Sequence, residues 1–336
     1  MQNLWSRFFG LALIFLAVCL LNISLGSVKI PFESTLAVLL GQPVENSSWE
    51  YIIHNYRLPK TITAILVGGG LALSGLLMQT LFRNPLAGPF VLGISSGASL
   101  GAALLLMGSS LLGGLLFSDF SLVIAASLGS FLVLLVVLLI ANRIRDTMAL
   151  LIIGLMFGSI TSAIVSVLAY FSSAEQLQRF IFWSYGSVGN LSWNQNGVLG
   201  AIVLIGLVLS ILSIKSLNAF LLGENYAQSL GVNLKTSRLI IIVSTGLLAG
   251  SITAFAGPIA FVGLAVPHLT RQIFNTMEHK TLVPAVFLYG AILMLFCDTI
   301  AQLPASAKVL PINAITSIVG APVVIWLLVR KRKMLF

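Results

Sequence analysis

No Asp, Glu, Lys or Arg interrupts residues 8–26, 61–81, 91–107, 121–141, 149–171, 197–214, 239–257, 282–297 or 312–329. A helix crosses a bilayer with about 20 mostly apolar residues, or slightly fewer when its ends are buried in protein. Each run meets that length or comes close to it. A tenth run, 259–275, is shorter and carries His268 and Arg271 towards its end, so it crosses only if that end reaches the interface. The expected fold is an all-α polytopic membrane protein of about ten spans, forming one transmembrane domain over residues 1–336.

Charge usage agrees with a lipid-dissolved chain. Only 8 % of the residues are charged and 58 % are hydrophobic, whereas a soluble domain carries about 25 % charge. The net charge of +9 is therefore tested first as topology and is not read as a nucleic-acid footprint. With the N-terminus inside and ten spans, the inner segments hold Arg7, Arg83, Arg143, Arg145, Lys215, Lys235, Arg238, Arg271, Lys280, Arg330, Lys331, Arg332 and Lys333. The outer segments hold Lys29, Arg57, Lys60, Arg179 and Lys308. That is 13 against 5, as the positive-inside rule requires, and it places both termini in the cytoplasm. The first run has a signal-peptide look but lacks a small-x-small cleavage site. Val18 before Cys19 is too large for lipoprotein processing, so a retained span is expected. Cys19 and Cys297 sit in apolar runs and read as small hydrophobes.

Absences narrow the function. The sequence has no GxxxxGK[ST] phosphate loop, no HExxH, no metal-spaced His/Cys set and no nucleophile elbow. No metal site, no cofactor of its own and no enzymatic activity are expected. The mid-span acids and bases of an ion-coupled carrier are also missing. A transporter built this way must borrow its energy. Between the sixth and seventh spans, on the expected cytoplasmic side, LLGENYAQSLGVNLKTSR (221–238) forms a polar segment broken at Gly223 and Gly231. It reads either as a linker or as two short surface helices that take up force from a partner.

Small residues crowd 67–75, 93–103 and 158–166. Such faces let helices approach closely in lipid, or they line a wide pathway, for which 158–166 is the best candidate. Gly-Pro pairs open GPFVLGI (88–94) and GPIAFVGL (257–264), five spans apart, which is a faint echo of an inverted repeat.

The run NYRLPKTITAILVGGGLALSGLLMQTLFRNPLAGPFVLGISSGASLG (55–101) resembles the iron-complex (FecCD-type) permeases of ABC importers, the group that includes the cobalamin permease. So do LLGENYAQSLGVN (221–233), AGPIAFVGLAVPHLTR (256–271) and LPINAITSIVGAPVVIWLLVRKRK (310–333), in the same order and spacing.

The resemblance implies a type II ABC importer permease of about ten spans in a bacterial cytoplasmic membrane. It also implies a second permease copy (homodimer or sister permease), two ATPase subunits that use ATP and Mg, and an extracytoplasmic substrate-binding protein. Residues 218–236 are then the coupling helices, seated on the ATPase through Gly223, Glu224, Ala227, Gln228, Leu230 and Gly231; Gln228 replaces the family's usual Arg. Asn84 and Leu86 in RNPLAGP, with Thr147 and Met148, match the cytoplasmic gate. Arg57 and Lys60 match a basic pair that meets the binding protein, although interfacial anchoring is the competing reading. Gln302 and Val309 stand where the family has Arg and Glu, and Lys308 is the candidate substitute charge. His268 reads as structural, and Asp298 matches a family aspartate to which no role is assigned.

The cargo this implies is a metal chelate, first a ferric siderophore, alternatively cobalamin or haem. The rivals from other classes are an ion-coupled secondary carrier and a non-transporting membrane receptor or assembly subunit.

Overall fold

The computed structural model describes residues 2–108, 119–141, 147–302, 306 and 308–329. Arg143, Arg145, Arg330, Lys331, Arg332 and Lys333, counted above in the inner segments, lie outside the described residues, as does the side chain of Thr147.

Among the described residues all regular secondary structure is helical. In order, the helices are α1 (Gln2–Ser24), α2 (Phe32–Leu39), α3 (Ser47–Ile52), α4 (Leu58–Leu81), α5 (Ile94–Leu106), α6 (Asp119–Ala141), α7 (Thr147–Phe171) and α8 (Ala174–Ser184). They continue as α9 (Trp193–Leu212), α10 (Ile214–Leu221), α11 (Glu224–Ser229), α12 (Leu234–Ala256), α13 (Val262–Phe274), α14 (His279–Ala301) and α15 (Ile312–Val329). A π turn over Ile53–Arg57 fuses α3 to α4, and a 3-10 turn over Pro89–Leu92 precedes α5.

Among the described residues seven helices are long and apolar enough to cross a membrane: α1, the fused α3–α4, α6, α7, α9, α12 and α14. The shorter α5, α13 and α15 occupy the remaining three expected stretches. The two Gly-Pro pairs each precede a 13-residue helix, α5 and α13. Because α4 runs towards the α10–α11 end and α12 runs away from it, the chain enters the two segments from opposite ends of the bundle.

The centre of the bundle is α4, in which every residue from Val67 to Leu81 is buried. Glycine makes this possible. A methyl group at Gly68 would lie 2.3 Å from the Gly290 carbonyl oxygen of α14, and one at Gly75 would lie 1.7 Å from that of Gly263 in α13. Between α5 and α6, Gly97 and Gly129 face each other with the same closeness. The small residues of 67–75 and 93–103 are thus spent on helix packing. Gly75→Ala is expected to lower the thermal unfolding midpoint of the purified protein, since overpacking a tight contact costs about 1–3 kcal/mol or more. An unchanged melting curve would mean that α13 can step back freely.

The third small-residue run behaves differently. On α7, Ser159, Ser162 and Ser166 are all exposed, and only 17 % of the helix's most apolar window is buried.

Candidate functional site

At the end of the bundle where α4 finishes, α10 and α11 lie across the helix ends. Gly223 (φ +100°) and Gly231 (φ +80°) adopt conformations that a side chain would strain, and they bracket the six-residue α11. Ala227 is fully buried and anchors α11 from below, while its carbonyl accepts the Val232 N–H at 3.1 Å. Asn233 then caps α12, its side chain accepting the Thr236 N–H at 3.1 Å. Glu224 is ion-paired with Arg238 of α12, whose side chain is almost wholly enclosed. The pair pins α11 onto the body. Gln228 and Leu230 face outward, and Leu222, Tyr226 and Leu230 form an exposed apolar ridge. A cavity of about 610 Å³ opens beside this ridge, bordered by Leu138, Glu224, Gln228, Lys235 and Arg238.

The turn after α4 stands next to this platform. Asn84 accepts the Leu86 N–H on its side-chain oxygen at 2.9 Å, and its own N–H is held by the Gln79 carbonyl at 3.1 Å. Arg83 takes a left-handed conformation (φ +46°), and Leu86 is exposed. A groove of about 560 Å³ runs between the turn and the platform, lined by Phe82 and Arg83 on one side and Leu222 to Tyr226 on the other. His268 of α13 stands against the backbone of Pro85. Across the bundle, α7 packs on the turn at Gly93 through Gly154 and Phe157. Met148 is exposed at the start of α7, two turns away from that contact. Phe82 and Arg83 are thus brought to the platform, with Asn84 and Leu86 in the turn that follows, and α7 is brought to the 3-10 turn.

At the opposite end, Arg57 points inward. Its guanidinium donates to the carbonyls of Ile23 at 2.6 Å, Ser24 at 2.7 Å and Val28 at 2.5 Å, and the residue is 7 % exposed. It caps the C-terminus of α1, where unpaired carbonyls and the helix dipole favour a cation. Lys60, one turn on, reaches Asp298 of α14 at 3.1 Å. That carboxylate also accepts Asn22 and Gln302 at 2.8 Å each, and the Asn22 carbonyl oxygen accepts Thr61 at 2.8 Å. A cavity of about 530 Å³ above this cluster is bordered by Arg57, Lys60, Asp298, Gln302 and Val309. Lys308 stands exposed beside it.

Sequence reasoning gave Asp298 no role, and the structure makes it the centre of this network. The available signal was an acid adjoining an apolar run, which needs a partner when buried. Lys60→Met is expected to destabilise the protein by about 3–5 kcal/mol, because it leaves Asp298 buried and unpaired. Adding Asp298→Asn should recover much of that loss in the same detergent melt. Equal destabilisation in the single and double variants would refute the pairing.

The FecCD transport family model matches residues 13–330. The vitamin B12 import system permease protein BtuC of Klebsiella pneumoniae is 38 % identical over 324 residues, covering 96 % of this chain and 93 % of that protein. The hemin transport system permease protein HmuU of Yersinia pestis is 36 % identical over 320 residues, covering 95 % of each. Among solved structures, a metal-chelate type ABC transporter in an inward-facing conformation superimposes with a TM-score of 0.84 at 32 % identity, covering 96 % of this chain and 98 % of that one. With a family model matched over nearly its whole length and relatives well above 30 % identity, this chain belongs to the FecCD transport family of membrane permeases.

Proposed function

We propose that this chain is the membrane permease of an ABC importer in the bacterial inner membrane, carrying an intact metal chelate between two permease copies. Its energy comes from ATP hydrolysed on two separate subunits. The observation that carries the reading is the α10–α11 platform, a compact handle with an exposed apolar ridge, pinned to the bundle and set against the turn 83–87. The handle fits a groove on a soluble partner; Leu222, Tyr226 and Leu230 supply the apolar anchor, and Gly223, Glu224, Ala227, Gln228 and Gly231 shape and seat it. This end faces the cytoplasm on the charge count, with both termini on the same side.

Asn84 and Leu86, with Thr147 and Met148 at the head of α7, form the cytoplasmic gate in this reading. The exposed serines of α7 line the path between copies. The substrate-binding protein docks at the opposite end, where Lys308 stands exposed beside the 530 Å³ cavity that Arg57 and Lys60 border, both of them engaged within the permease. Opposite charge also speeds such an encounter.

For the cargo, a ferric siderophore follows from the resemblance to iron-complex permeases. The named relatives carry vitamin B12 and hemin, so cobalamin and haem stand beside it. The test is uptake into proteoliposomes holding the chain with its ATPase. Ferric siderophores, haem and cobalamin are each offered with a matching binding protein, with and without ATP on the ATPase side. ATP-dependent uptake of one chelate is expected and names the cargo. Uptake that ignores ATP and follows an ion gradient would overturn the reading.

A further inference from the structure

Between α11 and the turn after α4 lies a groove, spanned by the Arg83 side chain, whose guanidinium stands against Gly223. A second connection runs by another route. His279, the first residue of α14, is fully buried between α10 and the end of α4. Its backbone N–H lies 3.0 Å from the side-chain oxygen of Asn218 on α10, and its Nδ1 lies 2.7 Å from the same atom. Its Nε2 lies 2.9 Å from the Thr80 hydroxyl in the last turn of α4.

The protons can be placed by elimination. A backbone N–H only donates, so the Asn218 atom facing it is the carbonyl oxygen and not the amide nitrogen. That oxygen only accepts, so Nδ1 carries a hydrogen. In the neutral ring Nε2 then accepts, and Thr80 is its donor. The Leu76 carbonyl lies 2.9 Å from the same hydroxyl, so the single Thr80 proton is shared between two acceptors. Beside it, the Gln79 carbonyl holds Asn84, so a displacement of this turn reaches the gate within a few residues. Leu217 and Phe220 also seat α10 on the core, but apolar contacts are non-directional and allow sliding where directed hydrogen bonds do not.

We propose that His279 is a positioning residue of the transport cycle. It links Asn218 on the handle to Thr80 at the end of α4, and so carries movement of the handle to the gate turn. The proposal rests on reading α10–α11 as the ATPase handle and adds the route by which its motion travels.

The experiment uses the permease–ATPase complex in nanodiscs with Leu86→Cys as a gate probe. The probe reacts with a membrane-impermeant maleimide, and the chain without the added cysteine corrects for Cys19 and Cys297. The modification rate is compared between the nucleotide-free and the vanadate-trapped ATP states. With the chain otherwise intact, the two rates differ. In Thr80→Val and in Asn218→Leu the ratio of the two rates is expected to fall about 2- to 30-fold towards unity, while the ATPase stays bound and hydrolyses ATP. Thr80→Ser, which keeps the hydroxyl, restores the ratio. A purely structural role would lower the yield or the melting point but leave the nucleotide response of the surviving complexes intact. A full response in both Thr80→Val and Asn218→Leu overturns the proposal. Loss of the ATPase from the unsubstituted chain overturns the handle reading itself, and a bound ATPase without any response at Leu86→Cys overturns the route.

Discussion

Glu224→Arg is expected to strip the ATPase from the detergent-solubilised complex while leaving the permease bundle folded. Glu224 faces Arg238, which is enclosed at the start of α12. Two like charges about 4 Å apart near a protein surface repel by about 4 kcal/mol, more than the few contacts of a six-residue helix can withstand. With the pin gone, α11 leaves its seat, Ala227 is drawn out of the body, and the ridge of Leu222, Tyr226 and Leu230 loses its shape. Co-purification of the ATPase with the tagged permease measures the effect, and a loss of at least a hundredfold in association is expected. That loss corresponds to about 2.7 kcal/mol, within the repulsion introduced. The reciprocal exchange, Glu224→Arg together with Arg238→Glu, rebuilds an opposite pair and should return most of the association. Unchanged co-purification of Glu224→Arg would sink the assignment of 221–238. Failure of the exchange to rescue would mean that the Glu224 carboxylate itself touches the ATPase.

The sequence revealed the bundle more fully than its polar joints. All ten stretches became helices, including the short α5 and α13, because the absence of charge over such lengths has few other solutions. The break points Gly223 and Gly231 were also legible, since both carry the positive φ that glycine permits. The helices α2, α3, α8 and α10 went unmarked. They are 6 to 11 residues long, too short for an apolar repeat to declare itself. The second short helix expected between Gly231 and Arg238 is the start of α12. The pairings were hidden for a different reason. Lys60 meets Asp298, Thr80 meets His279 and Arg271 meets Gln79 at 2.8 Å, all across separations of about 190 residues or more. Nothing local fixes such partners; only the packing of α4 against α13 and α14 brings them together. Residue type showed that Glu224 and Arg57 matter, but not which way they point. One holds α11 and the other holds α1, whereas a sequence pattern favours the outward reading for any exposed-looking charge.

Arg57→Glu is expected to have the largest effect on stability of any charge reversal at the binding-protein end. The wild-type guanidinium satisfies three carbonyls at the end of α1 and the following loop, and hydrogen bonds to a charged group contribute about 1.5–3 kcal/mol each. A carboxylate in its place can accept but not donate, so it faces three acceptors and the negative end of a helix dipole inside a 7 %-exposed site. The thermal midpoint of the purified permease should fall sharply, and the loop around Lys29 should become a site of limited proteolysis. Lys308→Glu, on an exposed residue, should leave the midpoint unchanged and weaken binding-protein docking, most strongly at low salt where charges act over longer distances. This contrast separates two roles that a docking assay alone would merge, because Arg57→Glu also loses docking once the loop detaches. If Arg57→Glu melts like the parent yet loses docking in a salt-dependent way, its side chain turns outward to meet the partner, and the cap on α1 is dispensable.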